Sequence, residues 1–180
     1  MSRKSLSFAI LLAATTIQVA NASDGTINFN GELVTQTCTI AVDGVVTPTA
    51  ATVTLPTVST SVLSTSGEVA GQTGFNIQLS ACTGAATTAA AFFEAGASVD
   101  PVSGNLNNMT GTASEVQLQL IDAANGSAIQ AGNTNQITNT TRNTLVGGAV
   151  NMPYAVQYFA TAATTPGTVI SSVTYSIDYQ

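Results

Sequence analysis

Asp24–Val34 reads DGTINFNGELV, and its residues sort by parity, with Gly25, Ile27, Phe29, Gly31 and Leu33 on one side and Asp24, Thr26, Asn28, Asn30 and Glu32 on the other. A strand has a side-chain period of two, so this segment is written to bury one face and wet the other. It lies ahead of the first cysteine, at the front of the exported chain, where a terminus is ordinarily polar and unstructured. An apolar stripe in that place needs a groove to enter.

The residues before it form a secretory leader. Arg3 and Lys4 precede the apolar run Leu6–Ala14, and Ala20-Asn21-Ala22 offers small residues for cleavage, so residues 1–22 are expected to be removed and the exported chain to start at Ser23. That run is too short to span a bilayer, and no later stretch reaches about eighteen apolar residues, so no membrane span is expected in the mature chain. Residues 23–180 suit one domain with a sizeable core. Within them nine carboxylates face a single cation, Arg142. That balance excludes nucleic acid and a polybasic membrane contact. Charged residues make up only 7% of the sequence, so little repulsion keeps neighbouring copies apart.

The two cysteines, Cys38 and Cys82, most simply pair with each other in an exported chain. Closing a loop of about 45 residues contributes on the order of 4 kcal/mol in the chain-entropy model. A redox role has no support, because there is no CxxC and no basic neighbour to lower a thiol pKa.

After Cys38 the text is all-β, made of short alternating or apolar runs broken by turn residues. Strands are predicted at Leu33–Val42, Ala51–Leu55, Gly74–Ser80, Ala89–Phe93, Glu115–Asp122, Tyr154–Ala160 and Thr168–Tyr179. Turns are predicted at Asp43-Gly44, Asn105–Gly111, Asn125-Gly126, Gly147-Gly148 and Pro166-Gly167. Number and spacing suggest a sandwich. Ala85–Ala91 has helical propensity, but Thr87, Thr88, Phe92 and Phe93 keep a strand or turn in competition. The last strand is the clearest, with Val169, Val173, Tyr175, Ile177 and Tyr179 on one face. With Gln180 ending the sequence, its far edge must pair internally or be covered by another chain.

The absence of histidine removes serine and cysteine triads with a histidine base, most zinc sites and the usual proton shuttle. Glu115 and Asp122 stand an odd interval apart, toward opposite faces, and read as solvated charges rather than a glycosidase pair. Glu94 and Asp100 are too few for a calcium site and read as loop charges. The Asn-x-Ser/Thr matches at Asn108, Asn125 and Asn139 are read as turn chemistry, and Gly147-Gly148 lacks the spacing of a phosphate loop. The tyrosines 154, 158, 175 and 179 have strand spacing, which favours packing over sugar stacking. No catalytic, cofactor or metal residue is assigned.

In this order, the leading strand with Gly31-Glu32, Cys38, Gly74-Phe75-Asn76-Ile77-Gln78-Leu79 before Cys82, Tyr158-Phe159-Ala160-Thr161, Thr165-Pro166-Gly167 and the ending Tyr179-Gln180 resemble a major subunit of type 1 fimbriae, the pilins of the chaperone-usher route in Gram-negative bacteria. Gly167, fourteenth from the carboxyl end, and penultimate Tyr179 are similar to the family's terminal chaperone-recognition strand. The resemblance implies an immunoglobulin-like sandwich that lacks its last strand and carries a groove beside the carboxyl-terminal strand, at Gly167, Val169, Val173, Tyr175, Ile177 and Tyr179. It also implies that a periplasmic chaperone lends a strand until an outer-membrane usher exchanges it for the next subunit's amino-terminal extension. Residues 23–37 would be that extension and 38–180 the pilin domain, in a homopolymer forming an adhesive fimbria on the cell surface. Val45–Ser66 carries no alignable motif, so no groove residue is assigned there.

The mechanism would be strand addition, in which main-chain bonds pair the strands and alternate side chains set register. Gly25 and Gly31 suit places where a groove floor comes close. A minor adaptor subunit and a monomeric carbohydrate-binding sandwich are the alternatives, and a secreted hydrolase ranks last for want of a nucleophile with a base. A tip adhesin would need a second domain, for which the chain has no room.

Overall fold

Strands form where the sequence alternates and stop at its turn residues. The computed structural model describes Ile27, Asn28, Leu33 and residues 35–180. Its strands are β1 (Thr37–Val42), β2 (Val45–Val46), β3 (Val69–Thr83), β4 (Thr88–Phe93), β5 (Leu106–Asn107), β6 (Val116–Asp122), β7 (Ala128–Ile129), β8 (Asn143–Thr144), β9 (Val150–Ala160) and β10 (Tyr175–Tyr179), with short helical turns at Thr60–Val62 and Gln136–Asn139. Asp43 and Gly44 both take positive φ, 46° and 82°, giving the two-residue turn whose twist matches a hairpin between β1 and β2. Gly147-Gly148 makes another tight turn, across which Val146 and Ala149 exchange hydrogen bonds of 2.9 and 3.1 Å.

The larger sheet runs β2-β1-β3-β9-β6-β5, with β7 paired to β6, and the smaller runs β10-β4-β8. Register places like residues side by side, with Phe75 against Tyr154, Ile77 against Met152 and Leu120 against Val156. These side chains meet Ala89, Ala91 and Phe93 of β4 in one core. Phe93 meets the Tyr154 ring edge-on at a centroid distance of 5.2 Å. Cys38 and Cys82 are bonded, with Cα atoms 4.1 Å apart, tying β1 to β3.

β9 is central, yet it contains Pro153. Asn76, opposite it on β3, donates its N–H to Asp43 Oδ1 and accepts from Asp43 N–H, so both its backbone groups point away from β9. The proline nitrogen therefore faces the β6 side, where the ladder has already stopped at Tyr154, and no sheet bond is lost.

The alanine-rich segment folds as β4, so tertiary packing overrides helical propensity. β8 covers only the first part of its inner edge. Beyond that the Tyr154 hydroxyl accepts from Ala91 N–H at 2.9 Å, which small alanine side chains permit. Gln136, 2% exposed, accepts from Phe93 N–H at 2.9 Å and donates to Phe93 O at 3.0 Å, a side-chain amide in place of a missing rung.

Asp122 departs from its expected solvated position. It is 1% exposed, and its carboxylate accepts from Ala124 N–H at 2.9 Å and Thr141 N–H at 2.6 Å, while Glu115 is exposed. An odd interval does place the two apart, but local backbone donors make burial of one carboxylate tolerable.

Candidate functional site

The carboxyl-terminal segment runs extended beyond the five residues of β10. From Thr168 to Thr174 it bonds to loops rather than to a strand. Thr168 O accepts from Ala113 N–H, Ile170 O from Met109 N–H, Ser172 O from Ser98 Oγ–H and Thr174 O from Glu94 N–H. Gln180 then exchanges bonds in both directions with Thr88, at 2.8 and 3.0 Å. All these residues are even-numbered. In an antiparallel pair, N–H and C=O groups of alternate residues point to opposite edges, so those of Val169, Ser171, Val173, Tyr175, Ile177 and Tyr179 face the other way. There they meet no partner strand among the described residues, since β10 is an edge. The same odd residues turn their side chains inward and are half-buried, while even neighbours such as Ile170, Ser172 and Thr174 are exposed.

A second extended segment lies opposite. Ala51, Val53 and Leu55 are half-buried and alternate with exposed Thr52 and Thr54, a strand pattern without a ladder. Residues 51–58 make no backbone–backbone hydrogen bond with any other described residue. The strand expected at Ala51–Leu55 is thus extended but unpaired.

Between the two rims lies a groove of about 610 Å³. Its floor is the edge of the core, buried side chains of Phe75, Ile77, Phe93, Leu118, Leu120 and Val156. Its rims carry Ala51, Val53, Leu55 and Ser171–Tyr175, and no carboxylate or cation lines it. What this arrangement offers is a slot for one more strand. Two rows of backbone groups without a strand partner among the described residues flank an apolar strip suited to side chains of one parity. A smaller hollow of about 410 Å³, bordered by Ala95, Val99, Val102 and Asn133, has no titratable lining group.

The open rim is held at both ends. Arg142 Nη1 contacts Asp178 Oδ2 at 2.7 Å and Nη2 donates to Asp178 O at 3.0 Å, so the one cation of residues 23–180 fastens β10 to β4 and β8. At the other end Asn108 Nδ2 donates to Ala113 O and Thr168 O, and Ser114 N–H donates to Thr165 Oγ1. Gly167 sits in that lock, and a Cβ there would fall 2.6 Å from Thr112 Oγ1. Close packing therefore accounts for this glycine.

Burial pushes the Tyr175 and Tyr179 phenols above their ordinary value. Tyr175 Oη and Ser171 Oγ are buried without a hydrogen-bond partner among the described residues. Ser171 was hidden from the sequence reading by its polarity, although its parity is that of Val169 and Val173. The unassigned stretch Val45–Ser66 supplies the facing rim, and the alternation in Ala51–Leu55 was its signal. Of the leading strand's apolar set, Ile27 and Leu33 are exposed, at 77% and 102%, whereas Gly25, Phe29 and Gly31 lie outside the described residues.

Comparison with known proteins places this geometry in a family. A family model described as type-1 fimbrial protein, A matches residues 55–180. The major fimbrial subunit SMF-1 of Stenotrophomonas maltophilia is 42% identical over 179 residues, covering 94% of this chain and 99% of its own. A type-1 fimbrial protein A chain of Escherichia coli is 32% identical over 184 residues, covering 100% of this chain and 95% of its own. The crystal structure of the P pilus rod subunit PapA matches with a TM-score of 0.58 at 19% identity, over 79% of this chain and 99% of the other, a likeness of fold. An all-β sandwich open along one strand, with full-length relatives among fimbrial subunits, belongs to the type-1 fimbrial protein family.

Proposed function

We propose that this chain, a structural subunit of a chaperone-usher fimbria, polymerises with copies of itself by inserting the apolar strand of its extension, residues 23–37, into the groove of a neighbouring subunit. Ile27, Phe29 and Leu33 enter above the floor, Gly25 and Gly31 fit where it rises, and the odd-numbered backbone groups from Val169 to Tyr179 pair with the incoming strand. Residues 1–22 direct export. A periplasmic chaperone covers the groove until an outer-membrane usher hands the subunit on, and the product is a rod on the surface of a Gram-negative cell that supports adhesion. Its role is mechanical, and no catalytic step is assigned. No helix among the described residues is long and apolar enough to cross a membrane.

One observation carries the reading: two extended rims whose edges have no strand partner among the described residues face each other across an apolar floor. Burying Ile27, Phe29 and Leu33 contributes about 1.5–3 kcal/mol each, and every new main-chain bond adds about 0.5–1.5 kcal/mol net. Because the joint completes a core, opening it resembles unfolding, and slow dissociation governs fibre lifetime.

The test is a chain lacking residues 23–34, co-expressed with its chaperone. It should remain unpolymerised and chaperone-bound, and a free peptide of residues 23–37 should displace the chaperone and yield a stable monomer. A truncated chain that is folded and solitary without either helper refutes the proposal.

A further inference from the structure

We infer that Gln36 and Gly84 form a latch that fixes where the donor segment leaves its own domain, and thereby sets the length and stiffness of the joint between successive subunits. The inference rests on the donor-strand reading above.

Three contacts hold the chain just before β1. Gln36 Oε1 accepts from Ala86 N–H at 3.3 Å, and Gln36 Nε2 lies 3.7 Å from Cys38 Sγ. The Thr37 and Thr83 hydroxyls pair at 2.7 Å, one residue before the Cys38–Cys82 bond. Gly84 completes the seat. Its φ of +131° suits glycine alone, and a Cβ there would fall 2.5 Å from Thr35 O as well as on the Gln36 amide. The close approach of Thr35 and Gln36 to the β3–β4 turn therefore depends on there being no side chain at position 84.

Two positions upstream the situation reverses, for Leu33 is fully exposed. Leu33 is also the last residue of the inward-facing donor set. Between the inserted Leu33 and the latched Thr35 stands one residue, Val34, and two Cα steps span at most about 7 Å. Consecutive domains joined in this way must touch, and the orientation of one is transmitted to the next. Without the latch, Thr35 and Gln36 would join the linker up to β1, which Thr37 enters by pairing with Thr83, and a tether of three residues, four Cα steps, can reach about 14 Å with freedom to pivot. Gln36 is thus a positioning residue: it never enters the groove, yet it decides how tightly two subunits are coupled.

The test uses the full chain with Gln36→Ala, with Gly84→Ala, or with two glycines inserted after Val34. Readouts are fibre persistence length by electron microscopy and the denaturant midpoint of the fibres. The expected result is that fibres form in each case, with midpoints near wild type and persistence length reduced about twofold or more. Gln36→Asn, whose shorter amide still reaches toward the turn, should recover part of the stiffness. Wild-type persistence length in Gln36→Ala, alongside flexible fibres from the glycine insertion, overturns the latch. Wild-type persistence length in all three overturns the short joint. If Gly84→Ala does not fold, Gln36→Ala and the insertion decide the matter. Absence of fibres from every variant, with no uptake of free 23–37 peptide by wild type, overturns the donor-strand reading and the latch together.

Discussion

Phe29→Asp in the donor segment should abolish exchange at neutral pH and recover much of it in acid. The groove floor is aliphatic and aromatic, and no cation lines it. Arg142, the one basic residue in 23–180, is already engaged with Asp178. Carrying an ionised carboxylate into such a site costs far more than neutralising it first, so the substituted strand enters protonated. At pH 7 that protonation costs about 4 kcal/mol, from a pKa near 3.9 and about 1.4 kcal/mol for each unit. The lost phenyl burial adds about 2–3 kcal/mol. Together they weaken insertion by about four to five orders of magnitude. At pH 4 the first contribution nearly vanishes and a loss of about 30- to 150-fold remains. The sign is fixed by linkage, because the bound state favours the neutral acid and the penalty is present above pH 4 and fades below it. The assay is competition between wild-type and substituted 23–37 peptides for chaperone-held subunit at both pH values, with Phe29→Asn as a control lacking pH dependence. A loss below about tenfold at pH 7, or a loss equal at both pH values, refutes the placement of Phe29 over an apolar floor.

Replacing Cys38 and Cys82 by serine removes about 4 kcal/mol of chain-entropy stabilisation and should lower periplasmic subunit yield, and unchanged levels would count against that contribution. Gln136→Leu leaves Phe93 N–H buried without a partner, while Phe93 O keeps its bond from Gly132 N–H at 2.8 Å. The cost is about 1–3 kcal/mol, read as a lower denaturant midpoint of the fibre; an unchanged midpoint removes the amide from the account of β4. Burial raises all four phenols, Tyr154, Tyr158, Tyr175 and Tyr179, above 10.0. Their folded state keeps protons that the unfolded chain sheds, so this stabilisation is complete below about pH 10 and lost as pH rises through the folded values. Fibres titrated into alkali should dissociate there, and equal stability on both sides of that range would refute the role of buried tyrosine.

Strands that bury alternate side chains against a visible partner were legible in the sequence, because period two and turn residues encode both ends. β3, β6 and β9 contain the predicted Gly74–Ser80, most of Glu115–Asp122 and Tyr154–Ala160. The strand expected at Leu33–Val42 starts at Thr37, and that expected at Thr168–Tyr179 has ladder bonds only from Tyr175. Ala51–Leu55 alternates as expected without a ladder at all. The last two shortfalls border the groove. Alternation records how side chains are partitioned, whereas ladder bonds need a second backbone, and among the described residues none lies beside these rims. Other features had no sequence signal. Ser171 faces inward although polar, Gln136 replaces a strand rung, and Asp122 is buried with Thr141 N–H, remote in sequence, joining the local donor Ala124 N–H. Each depends on a neighbour brought close only by the fold.

An open edge is ordinarily a hazard, blunted by lysine, proline or a covering loop. None of these protects the rim from Thr168 to Gln180, whose outward side chains are chiefly Ile170, Ser172, Thr174 and Ser176. Discrimination must then come from the occupant. A donor shifted by one residue keeps every main-chain bond but turns Asn28, Asn30 and Glu32 onto the floor in place of Ile27, Phe29 and Leu33. That exchange forfeits about 5–9 kcal/mol of apolar burial and desolvates two amides and a carboxylate that find no counter-ion there. Under the donor-strand proposal, the polar parity of Asp24–Val34 is therefore as much part of recognition as the apolar one. An edge left bare for pairing is kept specific by the strand that fills it, since only one of its two faces can be accepted.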